Sequence, residues 1–238
     1  MKKFLKNLFT CFVILVIFGS VLFFLGWTQF RVPSNGFGII VSKTGGISKD
    51  IVVPGVFSWH WEFLIPSNAE LKIFKLKNYQ LKKNISYSVP SGDVYASLIS
   101  AGSDFNANYD FTADVFVSRE SLFELFSSGK ITNDEDLENY IDNDFSEICK
   151  KIVTSIQAKV EAGEIILPEL FSTQELLELA GRKDNSTVEY SLIKLSNVKI
   201  PDYRLFKIIR ENYLEKQKIS FDSKNESEKS LENKSKEQ

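Results

Sequence analysis

Phe105-Asn106-Ala107-Asn108-Tyr109-Asp110-Phe111-Thr112-Ala113-Asp114-Val115-Phe116-Val117 is the stretch that decides the fold class. Phe105, Ala107, Tyr109, Phe111, Ala113, Val115 and Val117 are apolar, and Asp104, Asn106, Asn108, Asp110, Thr112 and Asp114 alternate with them. Neighbouring side chains of a strand point to opposite faces. A period of two sustained this long predicts a strand with one face on a core and the other in water.

Upstream of that strand the chain is β-rich and broken by turn residues. Gly36 to Ser42 (GFGIIVS) predicts a first strand, ended by Thr44-Gly45-Gly46. Ile51 to Val53 and Val56 to Phe63 predict short strands around a Pro54-Gly55 turn, closed by Pro66-Ser67-Asn68. Leu71 to Leu81 predicts a further strand, and its apolar set changes face at Ile73-Phe74 as at a bulge.

Downstream the spacing turns helical. Ser118 is placed to cap a short helix through Phe126, and Asn133-Asp134-Glu135-Asp136 supplies a cap and an acidic first turn for a long one. Leu137, Tyr140, Ile141, Phe145, Ile148, Cys149, Ile152, Val153, Ile156 and Val160 recur at helical spacing, which makes Cys149 a small core residue. Ser172-Thr173-Gln174-Glu175 is a capping box opening a third helix that ends at Gly181. Thr187 to Lys199 returns to strand character. Pro201 then opens a last helix with Leu205, Phe206, Ile209 and Tyr213 on one side. Strands followed by helices predict an α+β domain over 30–200 and a C-terminal helix over 201–218. Over 219–238, Ser, Lys, Glu and Asn leave too little apolar surface to offset ordering, which predicts a disordered polar tail. No internal repeat is present.

At the other end, residues 1–7 form a basic leader and 8–28 an anchor. Leu8 to Leu25 (LFTCFVILVIFGSVLFFL) holds no charge. At a rise of about 1.5 Å per residue it crosses most of a ~30 Å hydrocarbon layer, and a helix satisfies its own backbone there. Leu8, Phe12, Ile14, Leu15, Ile17, Val21, Phe23, Phe24 and Leu25 supply the apolar surface, with Trp27 at the boundary where aromatic rings favour the interface. The competing reading is a cleaved signal peptide, but the exit Gly26-Trp27-Thr28-Gln29-Phe30 offers no small-x-small cleavage site. Lys2, Lys3 and Lys6 precede the segment and only Arg31 follows closely. The positive-inside bias therefore predicts a cytoplasmic N-terminus and an extracytoplasmic domain.

Net charge is −2 and no basic stripe interleaved with aromatics occurs, so a nucleic-acid partner is not expected. Cys11 lies in the apolar segment and Cys149 far along the chain, a placement that gives neither a disulfide framework nor a clustered metal site. Leu8-Phe9-Thr10-Cys11 lacks the preceding apolar run of a lipoprotein site.

Several stretches in order resemble the band-7 (SPFH) group, the domain of stomatins, prohibitins, flotillins and bacterial membrane-protease modulators. Val32-Pro33-Ser34-Asn35-Gly36-Phe37-Gly38-Ile39-Ile40 is similar to that family's opening strand just past the membrane. Pro54-Gly55-Val56-Phe57 followed by Phe63-Leu64-Ile65-Pro66 is similar to its hairpin. Ser103-Asp104 entering the alternating strand, Arg119-Glu120-Ser121-Leu122-Phe123 after it, and Ile200-Pro201-Asp202-Tyr203 before the last helix are family-like in place. Phe105 stands where the family often has Gly, and the sustained heptads of its usual coiled coil are absent. The resemblance implies a scaffold that organises integral membrane proteins or modulates a membrane-bound protease by contact. Its implied partners are membrane lipids, integral membrane proteins and further copies of itself or a paralogue.

Chemistry is sparse. His60, the only histidine, sits in Trp59-His60-Trp61 with Glu62 on its own face; catalysis would need a nucleophile as well. The preferred reading is a membrane-interface segment in which Phe57, Trp59, Trp61 and Phe63 make the contacts. Asp134, Glu135, Asp136 and Glu138 lack the spacing and glycine of a calcium loop and read as a solvated helix start. No phosphate-cradling loop, G-x-S-x-G or H-E-x-x-H occurs, so neither enzymatic activity nor a cofactor is expected. Asn84-Ile85-Ser86 and Asn185-Ser186-Thr187 match glycosylation acceptors. Two alternatives stand beside the scaffold: an extracytoplasmic binding or adhesion module on a signal anchor, and a membrane-tethered hydrolase.

Overall fold

The computed structural model describes residues 2–99, 104–164, 166–182 and 187–236. The chain is α+β, with one N-terminal apolar helix and two small antiparallel sheets. It divides into two compact units, one of residues 1–80, 114–145 and 184–191, the other of 81–113, 146–183 and 192–238. Asn185 and Ser186 of the second glycosylation triplet, and Ser103 of the family-like stretch, lie outside the described residues.

The first unit begins with helix α1 (Lys2–Gly26). Strand β1 (Gly36–Ser42) runs between β2 (Gly46–Val52) and β3 (Ala69–Lys75), antiparallel to both. Gly36 to Ser42 pairs without a break against Lys75 to Ala69, whereas the β1–β2 register shifts between Ile39 and Val41. Phe37, Ile39 and Ile40 are all buried, because β1 is central and covered on both faces. The Phe37 ring stacks over Phe74, which meets Phe126 of helix α3 (Arg119–Ser127) edge-on at 5.6 Å. Val32, Ile40 and Val52 form a smaller core against which Phe63, Ala69 and Leu71 pack. The long helix, called α4 here (Asp134–Glu161), buries Leu137, Ile141 and Phe145 in this unit. Its start carries the acidic cluster. Asp134 accepts the N–H of Lys75 at 3.3 Å, Asp136 takes the N–H and hydroxyl of Thr132, and Glu138 pairs with Lys77. Asp134, Asp136 and Glu138 are thus engaged in capping and pairing, as a helix start requires.

The second unit holds most of a sheet in the order β4 (Tyr79–Ser88), β5 (Asn106–Phe116), β6 (Glu189–Lys199). Along β5 the odd-numbered residues from Ala107 to Val115 are buried and the even ones are not, as the alternation requires. Ile148, Cys149, Ile152, Val153 and Ile156 form the buried stripe of α4 here. Helix α2 (Gly92–Ser97) was not predicted from sequence. Helix α5 (Thr173–Leu179) begins at the Ser172–Glu175 capping box, and Gly181 beyond its end has φ +66°. Helix α6 (Tyr203–Lys236) lays Leu205, Phe206, Ile209 and Tyr213 on a core of Val89, Tyr95, Phe105 and Tyr203. Asn84 is engaged on the wet face of the sheet, donating its amide to Asn108 and Asp110.

Three expectations are corrected. Leu71 to Leu81 is not one bulged strand: β3 ends at Lys75, Leu76 donates its N–H to Asn35 O, and β4 starts at Tyr79 in the other sheet. The change of apolar face marks a change of sheet. Val56 to Phe63 is not a strand either. After a turn at Pro54-Gly55, with Gly55 at φ +79°, the segment makes one isolated pair, Trp27 with Trp59, and then a 3-10 turn over Trp61–Leu64. Of the alternating rings, Phe57 stacks on Phe23 and Trp59 covers Gly26 of α1, whereas Phe63 packs on the Val32–Ile40–Val52 core. Finally, α6 does not stop at residue 218 but continues to Lys236. Lys and Glu are good helix formers, so the segment needs no apolar core to be helical.

Candidate membrane-interface site

Between Lys6 and Gly26, α1 is long and apolar enough to cross a membrane. At 1.5 Å per residue its 21 residues measure about 32 Å. Leu8, Phe12, Ile14, Leu15, Ile17, Val21, Phe23, Phe24 and Leu25 are all exposed on it. The C-terminal end is different: Gly26 and Thr28 are buried and Trp27 is partly so.

What buries that end is the segment Phe57–His60. The last carbonyls of a helix have no partner within it, and in an apolar medium an unsatisfied carbonyl is costly. Here the Trp59 indole N–H donates to Phe23 O at 3.1 Å, the His60 N–H to Gly26 O at 2.9 Å, and Arg31 Nη2 to Leu25 O at 3.1 Å. The N–H of Thr28 donates to Ser58 O at 3.0 Å, and its hydroxyl lies 3.1 Å from Ser58 Oγ. The end of the helix is capped by Arg31 from just beyond it and by Trp59 and His60 from more than 30 residues further along the chain.

Aromatic rings surround these hydrogen bonds. Phe57 stacks on Phe23 with ring centres 6.0 Å apart and lies 6.1 Å from Trp27. Trp27 also packs against Phe24 and Phe30. Trp59 fills the space over Gly26, where a Cβ would fall 2.4 Å from its Nε1. Phe57, Trp59 and Trp61 remain exposed, together with Phe30, Val56 and Ile65. Phe63 turns inward instead, onto the Val32–Ile40–Val52 core, with the Arg31 guanidinium 5.0 Å from its ring centre. Asn68, almost wholly buried, ties the base of the loop by donating to Thr44 Oγ1 and Glu62 O.

His60 has a neighbour that its sequence environment did not suggest. Ser58 Oγ is 2.9 Å from His60 Nε2, and Glu62 Oε2 is 3.9 Å from Nδ1. Hydroxyl, imidazole and carboxylate are thus in the order of a nucleophile, a base and an orienting acid. The Glu62 contact is beyond hydrogen-bond range. The N–H groups of Thr28 and His60 are bonded to Ser58 O and Gly26 O. Two alternating residues, Ser58 and His60, share one face of an extended segment, and that spacing was the available signal. Among the described residues no group of three or more His, Cys, Asp and Glu is arranged to hold a metal.

No family model matches the chain. It is similar to a protein of Treponema pallidum (strain Nichols) described as an uncharacterized protein. The two are 27% identical over 209 residues, which span 85% of this chain and 71% of that one.

Proposed function

We propose that the protein is a single-pass membrane scaffold of the band-7 type, with its N-terminus in the cytoplasm and its domain outside it. It organises integral membrane proteins, or modulates a membrane-bound protease, through contacts rather than turnover. The observation that carries the reading is the capped end of α1. Phe23 O, Leu25 O and Gly26 O are held by Trp59, Arg31 and His60, so helix and domain form one folded piece. A signal peptide has no use for such contacts, since cleavage would discard half of each. Retention of α1 keeps the domain within a few nanometres of the bilayer and raises its effective concentration toward other membrane proteins.

Further support comes from the order of elements. β1 opens ten residues past the end of α1, the Pro54-Gly55 turn follows β2, and Pro201 precedes α6. The 34 residues of α6 stand where band-7 proteins continue into their assembly helix. Crosslinking in intact membranes, followed by identification of what co-purifies, tests the proposal. Enrichment of integral membrane proteins and of further copies is expected. A strict monomer that binds a soluble ligand favours an adhesion or binding module instead.

A membrane-tethered serine hydrolase is the second reading, favoured only by the 2.9 Å contact of Ser58 Oγ with His60 Nε2. A fluorophosphonate probe would label the protein at Ser58 on that reading. No labelling is expected on the scaffold reading.

A further inference from the structure

We infer that the turn Pro54–Trp59 is a second membrane contact, inserted at the headgroup–acyl boundary of the leaflet from which α1 emerges. This rests on α1 spanning the bilayer. The geometry that points to it is depth along the helix. Phe57 stacks on Phe23, and Trp59 donates to Phe23 O, three residues before the apolar span ends at Gly26. Three residues of helix are about 4.5 Å. The turn therefore reaches back along α1 past the end of the span instead of standing clear of it, and wherever Phe23 meets lipid, Phe57 does too.

The chemistry of the turn suits that depth. Pro54, Gly55, Val56, Phe57, Ser58 and Trp59 carry no charge. Gly55, at φ +79°, supplies the left-handed residue of a type II turn, in which Val56 N–H returns to Val53 O and Val56 and Phe57 project at the tip. Both tip side chains are 59% exposed. Several polar atoms of the turn have partners: Ser58 O and Oγ with Thr28, Trp59 Nε1 with Phe23 O. Phe57 on Phe23 and on Trp27, itself packed against Phe30, carries the apolar surface of α1 onto the turn, and Trp61 is also exposed. Continuity with the lipid-facing surface of α1 selects a bilayer as the occupant, ahead of a second copy or another protein.

Full-length protein in phosphatidylcholine vesicles, with part of the lipid brominated near the top of the acyl chain, tests this by tryptophan quenching. One variant retains Trp27 alone; another carries Phe57→Trp with the three native tryptophans changed to Phe. Quenching of the reporter at 57 within about two-fold of that at Trp27 is expected. Quenching at Trp27 with none at 57 overturns the inference and leaves the anchor standing. No quenching at either position overturns both. Because the substitutions at 59 and 61 could disturb the turn, a photocrosslinker at position 57 in the otherwise native chain gives an independent result. Adducts to lipid are expected, and adducts to protein, including a second copy, overturn the inference.

Discussion

The indole of Trp59 occupies the volume that any side chain on Gly26 would need, its Nε1 2.4 Å from where a Cβ would be. Gly26→Ala therefore tests the joint between α1 and the domain. Alanine gains up to about 1 kcal/mol in helix propensity. Displacing Trp59 costs about 1–3 kcal/mol through overpacking and the loss of its hydrogen bond to Phe23 O. The clash wins: a lower thermal midpoint in detergent and a red-shifted tryptophan emission are expected.

Thr28 is fully buried, and both its N–H and its hydroxyl reach Ser58. Thr28→Val keeps the shape and removes the hydroxyl, with an expected loss of about 1–2 kcal/mol. Thr10→Val is the control. Its hydroxyl bonds only to Lys6 O within the exposed part of α1, and its midpoint should stay unchanged.

The Ser172–Glu175 box offers a test in the second unit. Glu175 accepts from the Ser172 N–H and hydroxyl, both at 2.7 Å, and these bonds hold its carboxyl below the usual range. A carboxyl with a depressed folded value stabilises the fold above its ordinary value and loses that contribution as pH falls through the folded one. Ser172→Ala should cost about 1 kcal/mol at neutral pH, and less in acid below about pH 4, by chemical denaturation.

Alkali acts through Tyr79. Burial first, then Asp134 and Glu138, push its phenol from 10 up to about 12. A raised folded value means the stabilisation is complete below pH 10 and is lost as pH rises from there through about 12. The hydroxyl is buried without a partner, so Tyr79→Phe should leave neutral-pH stability unchanged or slightly higher and make the alkaline decline shallower. Denaturation midpoints between pH 9 and 12 would show it; an unchanged slope contradicts the assignment.

Strand β5 and the buried stripe of α4 were legible because each has a long, unbroken period: one face of β5 from Ala107 to Val115, one face of α4 from Leu137 to Ile156. Caps were legible for a local reason. Ser118 bonds the Ser121 N–H, and Ser172 the Glu175 N–H, over three residues. The juncture with α1 was not, because its contacts join residues 23–31 to 57–63 and no local pattern encodes that distance. The aromatic alternation Phe57, Trp59, Trp61, Phe63 looked like a strand, since rings packed on a helix end and rings on a sheet face can share a period of two. It implied the wrong backbone, and only the fold separates the inward Phe63 from the exposed three. The break after Lys75 had no Gly or Pro to announce it. In α6, low apolar content was read as disorder, although Lys and Glu sustain a helix without burial.

The most direct test of the account is the intact mass of the protein recovered from carbonate-washed membranes. An uncleaved chain that retains Lys2–Gly26 and resists extraction is predicted. A chain beginning at or beyond Trp27, or one released by carbonate, would contradict a helix that both anchors the domain and is capped by it.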